Sequence, residues 1–331
     1  MPDIFPLVPP HAIAPDEWRS LASDALACRR EDAAVLKVTG SGRVACLQGL
    51  VTCDIVKAGD GSRVFGALLT GKGMIVAPLW IARLADAIWL ELPADGLAAV
   101  RDVLTRSLPP RLCRYEDLTP VTASVGVYGP RAADVLTRVL GEAPCDAAAI
   151  AYASGTAVLA RSVARGLSGW DVLMPVALLR AFTDDLASNG ARAGSAALLE
   201  SARILGGIPR LGAEIDERTL PQEVRLEELG AISYTKGCYL GQETVARVHF
   251  RGHPNRRLAS LALEGPPAPP PLDLALDGKP VGRLTSAAWS EADQRWNALA
   301  VLRRDLSDGT VLALPGNARA TIQPDPWPPS A

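Results

Sequence analysis

No apolar run in this 331-residue sequence approaches the ~18–20 residues that a membrane-crossing helix needs. Residues 1–30 lack the basic start and apolar stretch of a secretory signal, and their acids, Asp3, Asp16, Glu17 and Asp24, argue against a transit peptide. Those absences make the cytoplasm the expected compartment and exclude a membrane partner. A charge excess is missing too. The 34 Lys and Arg stand against 36 Asp and Glu, so no global field draws the chain to nucleic acid, which is not expected as a direct partner. There is no Cys-x-x-Cys pair. The six cysteines, at 28, 46, 53, 113, 145 and 238, are spread too widely for a disulfide framework or a self-contained zinc or iron–sulfur site. No solenoid-type repeat is visible. What remains is an ordinary globular composition, 48% hydrophobic and 21% charged, long enough for two or three compact units.

Special backbone and special chemistry concentrate in residues 236–247, K-G-C-Y-L-G-Q-E-T-V-A-R. Gly237 and Gly241 permit left-handed or tightly turned backbone on either side of Cys238. Gly241 can cap a helix whose first turn holds Glu243, with Arg247 four residues on in the favourable order for an ion pair. Cys238 then lies ahead of a helix N-terminus and two residues from Lys236, and both neighbours favour a thiolate. The plainer alternative is a small buried hydrophobe. Lys236 can support the thiolate, meet an anionic ligand or simply be solvated. Gln242 and Glu243 can pair with a ligand edge or cap the helix. His249 and His253, with Cys238, invite a zinc reading, but the spacing lacks the usual paired cysteines, so no metal is assigned. Arg247, Arg251, Arg256 and Arg257 form a basic patch suited to a polyanionic tail or RNA phosphate, with plain solvation the commoner role.

Along the chain, residues 1–30 read as a loose arm with one helical piece over 16–28. A strand over 34–40 and a helix over 41–50 follow. Two apolar β-runs in 63–82 are joined by Thr70-Gly71-Lys72-Gly73, a hairpin turn instead of a phosphate cradle because no helix follows. A strand over 88–92 and a helix over 97–108 complete this unit. The second unit has strands over 121–128, 158–163 and 171–174 with helices over 131–140 and 176–189, an order that suits helices on one face of an antiparallel sheet. Trp170, in the R-G-L-S-G-W turn, is a candidate channel residue, with packing as the alternative. A helix over 196–206 carries Glu200 and Arg203. Beyond His253-Pro254, short strands over 258–263, 272–276, 282–286, 298–301 and 318–322 predict a small barrel or sandwich.

The string K-G-C-Y-x-G-Q-E resembles the signature of the YgfZ family of folate-binding proteins, relatives of the aminomethyltransferase (T-protein) of the glycine cleavage system. Three further blocks are similar to that superfamily: residues 38–54, with L-Q-G-L-V-T-x-D at 47–54; residues 202–209, A-R-I-L-G-G-I-P; and residues 281–287, V-G-R-L-T-S-A. The resemblance implies an α+β, aminomethyltransferase-like fold: two intertwined α/β (ferredoxin-like) subdomains around a central channel, and a C-terminal β-barrel. The expected organisation is an arm over 1–30, a folate-binding core over 31–252 and the barrel over 253–331. The implied ligand is tetrahydrofolate or a one-carbon derivative. It would be held by Lys236, Gly237, Tyr239, Gly241, Gln242, Glu243, Arg247 and Arg203, with Cys238 as the reactive group.

The departures matter. Where T-protein carries a pair of aspartates after its glycine-rich hairpin, this chain has Ala77 and Pro78, which cannot move a proton. Where the transferase places a glutamate in the helix over 202–206, Leu205 stands here. The resemblance therefore implies a folate binder without transfer machinery. Its role would be an accessory to iron–sulfur client enzymes or cluster-assembly proteins, including enzymes that thiolate tRNA. A folate-dependent aminomethyl or methyl transferase or demethylase, or a protein that modifies tRNA directly, are the alternatives.

Overall fold

The computed structural model describes residues 7–324. Its core is two sheets whose strands are shared between chain segments. The five-stranded sheet runs Ser62–Leu69, Ile75–Arg83, Ile88–Pro93, Ala33–Thr39, Arg114–Asp117 in spatial order, with every pairing antiparallel. One face buries Leu36, Val38, Leu79, Ile81 and Leu90 under the helix Leu97–Ser107, which contributes Val100 and Leu104. That is the alternation a strand imposes, since every second residue meets the same layer.

The six-stranded sheet runs Ala191–Gly194, Ala25–Arg29, Thr122–Tyr128, Gly169–Pro175, Gly155–Arg161, Ala147–Tyr152. Helices Ala132–Leu140 and Leu179–Ser188 cover it, packing Val135, Leu136, Phe182 and Leu186 onto Val125, Val127, Leu159 and Val172. The two units are intertwined because Ala25–Arg29 precedes the first sheet in sequence yet pairs inside the second. It runs antiparallel to Thr122–Tyr128 and parallel to Ala191–Gly194.

This strand corrects the sequence reading. The helix expected over 16–28 is confined to Pro15–Ser23, and Ala25, Leu26 and Cys28 are buried in sheet. Nothing local in A-L-A-C-R specifies a strand; two flanking partners do.

The C-terminal unit is a closed barrel. Its ring runs Lys279–Ser290, Leu272–Leu276, Val311–Ala313, Arg319–Ile322, Arg256–Leu263, Arg295–Arg303 and back to Lys279–Ser290. Closure leaves no free edge in the ring. Leu7–Val8 adds a parallel strand on Ala287 and Ala288, so the start of the described chain is tied to the barrel. The helix Ala196–Leu205 joins barrel and core, with Leu198 and Ile204 packed among Val8, Leu26, Tyr128 and Leu299. Among the described residues no helix is long and apolar enough to cross a membrane.

Candidate ligand cavity and signature loop

The four sequence blocks meet in pairs. The first pair joins residues 38–54 to the signature. Lys236 is buried, and its Nζ donates to the carbonyls of Val51 (2.7 Å) and Cys53 (2.8 Å). The backbone N–H of Leu240 donates to Gly49 O (3.0 Å) and that of Ser233 to Thr52 O (2.9 Å), while Thr52 Oγ1 donates to Ala231 O (2.6 Å). The second pair joins 202–209 to 281–287. Arg203 Nη2 donates to Ser286 Oγ (2.9 Å) and to Glu200 Oε1 (2.7 Å), and its Nη1 donates to Glu214 Oε2 (2.9 Å) and Ile208 O (2.7 Å). Thr285 and Ser286 donate to Glu214 Oε1 from the barrel side. Each pair is a buried polar clasp: a lysine held by two backbone carbonyls in the first, an arginine matched to two carboxylates in the second.

Between the two sheets lies a cavity of about 320 Å³. Its walls come from residues 29–32, Pro78 and Trp80, 91–93, Tyr128, the loop 164–167, the helix Ala196–Leu205 and residues 208–210. Pro78 and Trp80 are two apart on one strand and share its cavity face, whereas Ala77 points into the core on the other side.

The wall itself carries a buried ionic cluster, with Arg30, Glu91, Arg165 and Tyr128 on the lining and Arg63 and Asp171 behind it. Glu91 Oε1 meets Arg165 Nη2 (2.7 Å) and Arg30 Nε (3.2 Å), and Glu91 Oε2 meets Arg63 Nη2 (2.7 Å). Asp171 holds Arg165 Nε (3.0 Å) and accepts from Tyr128 Oη (2.8 Å). Arg165 also lies over Trp80, 3.9 Å from the ring centroid. Burial by itself would raise the Glu91 pKa, but Arg165, Arg63 and Arg30 outweigh it and hold the carboxyl at about 2. The same burial, reinforced by Asp171, pushes the Tyr128 phenol well above its ordinary value.

Of the nine residues that the signature and its resemblance single out, Arg203 alone lines this cavity. The rest form a separate site. Cys238 is exposed, on a loop leading into the helix Gln242–Arg251. Gly241 has φ +80, and a Cβ there would stand 2.5 Å from Thr70 O, so the loop packs directly on the hairpin turn. Gly237 does not adopt left-handed backbone and a Cβ there would meet nothing within 4 Å, which corrects its expected turn role. Lys236 is turned inward to its two carbonyls, so it shapes the loop. Gln242 Oε1 accepts from the Tyr239 N–H (3.2 Å), and the Tyr239 ring is buried under the loop, its phenol pushed up by burial to about 12. Glu243 and Arg247 form no ion pair among the described residues.

The basic patch is also smaller than the sequence suggested. Arg256 is forked onto Glu223 (3.0 and 2.9 Å), and Arg257 is bound to Leu306 O and Asp308. His249 pairs with Glu227 (2.8 Å) and stacks on Tyr234. Trp170 donates to Cys145 O away from the cavity; Trp80 is the tryptophan that lines it.

Sequence reasoning missed Trp80, Glu91, Arg30, Arg63, Arg165 and Asp171. A signal was there: Glu91 in I-W-L-E-L-P and Asp171 in G-W-D-V-L-M are acids placed inside otherwise apolar strands.

The profile of the GCVT N-terminal domain matches residues 1–233, and that of the CAF17 C-terminal beta-barrel domain matches residues 255–330. The tRNA-modifying protein YgfZ of Vibrio vulnificus is 30% identical over 308 residues, covering 89% of this chain and 89% of its own. The chain belongs to the YgfZ family. A second YgfZ, from Yersinia enterocolitica, is 29% identical over 315 residues, covering 90% of this chain and 91% of the relative. The crystal structure of the glycine cleavage system aminomethyltransferase T from Bartonella henselae superposes with a TM-score of 0.82 over 94% of this chain and 88% of that one. At 20% identity that likeness is one of fold, and it agrees with the aminomethyltransferase-like architecture expected above.

Proposed function

We propose that this YgfZ-family protein binds tetrahydrofolate or a one-carbon derivative in the cavity between its sheets. It would serve as an accessory factor in assembling or repairing iron–sulfur clusters of client enzymes, those that thiolate tRNA included. The naming of its relatives as tRNA-modifying proteins supports the tRNA side of that reading.

One observation carries it: the cavity has the size and lining of a small-molecule site, and the most deeply buried acid in its wall, Glu91, is committed to arginines. About 320 Å³ lies within the roughly 300–1,000 Å³ of small-molecule sites. Trp80, Leu92, Leu167, Leu199 and Ile208 offer apolar surface for aromatic rings, and Arg30, Arg165 and Arg210 offer guanidinium groups to carboxylates. These residues fit a reduced folate, which when bound would supply a carrier for a one-carbon unit. The chain's own part is to hold it and exclude water. Glu91, held at about 2 with both oxygens committed to arginines, is neither an acid nor a useful base near neutrality. Pro78 occupies the wall where the transferase carries an aspartate. Cys238, exposed on a loop pinned from beneath, is the group available to a client protein or a sulfur species.

Anaerobic calorimetric titration with tetrahydrofolate tests the cavity. Saturable binding near one to one is expected, and its absence with folded protein would remove the reading. Cys238→Ala tests the loop. Because the side chain is exposed, the substitution should change stability by no more than about 0.5 kcal/mol and leave folate binding intact. It should nevertheless fail to restore iron–sulfur enzyme activity and tRNA thiolation in a deletion strain. Full rescue would refute the role of the thiol.

A further inference from the structure

Arg210 stands on the cavity wall with its backbone fixed and its side chain unsatisfied. Its N–H donates to Glu214 Oε2 (3.0 Å), and its carbonyl accepts from the N–H groups of Ala213, Glu214 and Ile215 at 3.3, 3.1 and 3.1 Å. The guanidinium, only 18% exposed, makes no hydrogen bond among the described residues. Its one ion-pair contact, Glu200 Oε1, is 3.7 Å from Nη2, and its buried Nε has no partner.

The neighbouring arginines are unlike it. Arg30 and Arg165 are tied to Glu91, and Arg203 takes both oxygens of Glu200 at 2.7 and 2.9 Å. With that fork made, Glu200 has no parallel pair of lone pairs left for Arg210. Around the cavity the guanidinium groups of Arg30, Arg63, Arg165, Arg203 and Arg210 face the carboxylates of Glu91, Asp171, Glu200 and Glu214. Asp32, 3.7 Å from Arg30, brings the count to five against five, so Arg210 stands out by how loosely it is held, at 3.7 Å from Glu200 with no hydrogen bond from its guanidinium. Burial lowers the Arg210 pKa, whereas the carboxylates around Arg30 and Arg203 overcome burial and raise theirs. A guanidinium held in a low-dielectric wall with its Nε unbonded, and with its one carboxylate contact already forked onto another arginine, is costly unless an anion completes it.

We infer that Arg210 anchors an anionic group of the cavity's ligand and, resting on the folate reading above, that this group is a carboxylate of the glutamyl tail. A planar fork suits a carboxylate better than an ammonium does, so Lys at this position should serve less well.

The test is calorimetric titration of wild type, Arg210→Met and Arg210→Lys with three probes: tetrahydrofolate, p-aminobenzoylglutamate and 6-methyltetrahydropterin, which lacks the tail. Arg210→Met should weaken the first two about 10-fold or more, as expected for losing a charge-assisted hydrogen bond, and leave the third unchanged. Arg210→Lys should fall between. The thermal midpoint of Arg210→Met should hold or rise, because a buried charge with only a 3.7 Å contact to Glu200 is removed. Equal losses on all three probes would make Arg210 a shaper of the cavity and overturn the inference. Unchanged tetrahydrofolate affinity in Arg210→Met would also overturn it, with the folate reading left standing. Folded wild type that binds none of the probes would overturn both.

Discussion

Replacing Glu91 by Gln should lower folding stability by about 3–5 kcal/mol, the usual cost of stripping one partner from a buried ion cluster. Glu91 is 1% exposed and is the shared anion of Arg63 in the five-stranded sheet, Arg30 just past the strand Ala25–Arg29 and Arg165 in the loop 164–167. A neutral amide of the same shape leaves Arg63 and Arg165 facing Asp171 and Arg30 with only the 3.7 Å contact to Asp32. The same arginine contacts set a pH window. Folding lowers the Glu91 carboxyl from 4.5 to about 2, so its contribution is fully present above pH 4.5 and is lost as pH falls towards 2. A shift of that size corresponds to about 3 kcal/mol, in line with the cost of the substitution. Urea unfolding of the variant should therefore show a lower midpoint at pH 7 and a shallower loss of stability between pH 4.5 and 2. Arg63 is fully buried and has two nitrogens without partners. Adding Arg63→Met to Glu91→Gln should recover part of the loss by removing the stranded charge. If the double variant is less stable than the single one, charge imbalance is not the cause.

Much of the fold was legible because its amphipathic periods are strong. The hairpin over 63–82, the helix over 97–108 and the barrel strands each carry enough alternating or helical patterning to declare themselves. Short strands that depend on a neighbour did not. Arg114–Asp117, Ala191–Gly194 and Val311–Ala313 hold four residues or fewer, and A-L-A-C-R at 25–29 has no β-branched residue. Ala147–Tyr152, read as A-A-A-I-A-Y, looks helical by local propensity and is made a strand by pairing with Gly155–Arg161.

The site divides in the same way. The signature is contiguous, so its glycines, thiol and lysine are conspicuous in sequence. The cavity is assembled from segments as distant as Arg30 and Arg210, and no window along the chain contains it. What the sequence does supply is the pairing of blocks. Residues 38–54 form the bed of the signature loop, and residues 281–287 clasp Arg203, so both blocks have structural reasons to look as they do.

Lys236→Met separates the two sites most sharply. The resemblance assigns Lys236 to the ligand; its geometry makes it a tether. Its Nζ satisfies two carbonyls, those of Val51 and Cys53, beneath the loop that carries Cys238. Losing both bonds should cost about 2–4 kcal/mol, since each hydrogen bond to a charged group is worth roughly 1.5–3 kcal/mol and some relaxation will follow. Burial chiefly lowers the lysine pKa from 10.5 to about 8. Between those values the unfolded chain binds more protons than the folded one, so the contribution of Lys236 improves as pH rises through that window. Buried Cys28, Cys53 and Cys113, whose thiols are pushed up by burial, lower the stability of both proteins over that range, so the test is the difference: the stability gap between wild type and variant should widen from pH 8 to pH 10. As a tether, Lys236 predicts a variant that is less stable and fails to rescue a deletion strain, like Cys238→Ala, yet binds tetrahydrofolate as wild type does. As a ligand residue, it predicts the opposite: nearly unchanged stability and selective loss of tetrahydrofolate affinity. The cavity wall and the thiol loop both rest on the apolar layer that contains Trp80 and Tyr239 together. A tether that fails should therefore silence the loop and leave the cavity able to bind.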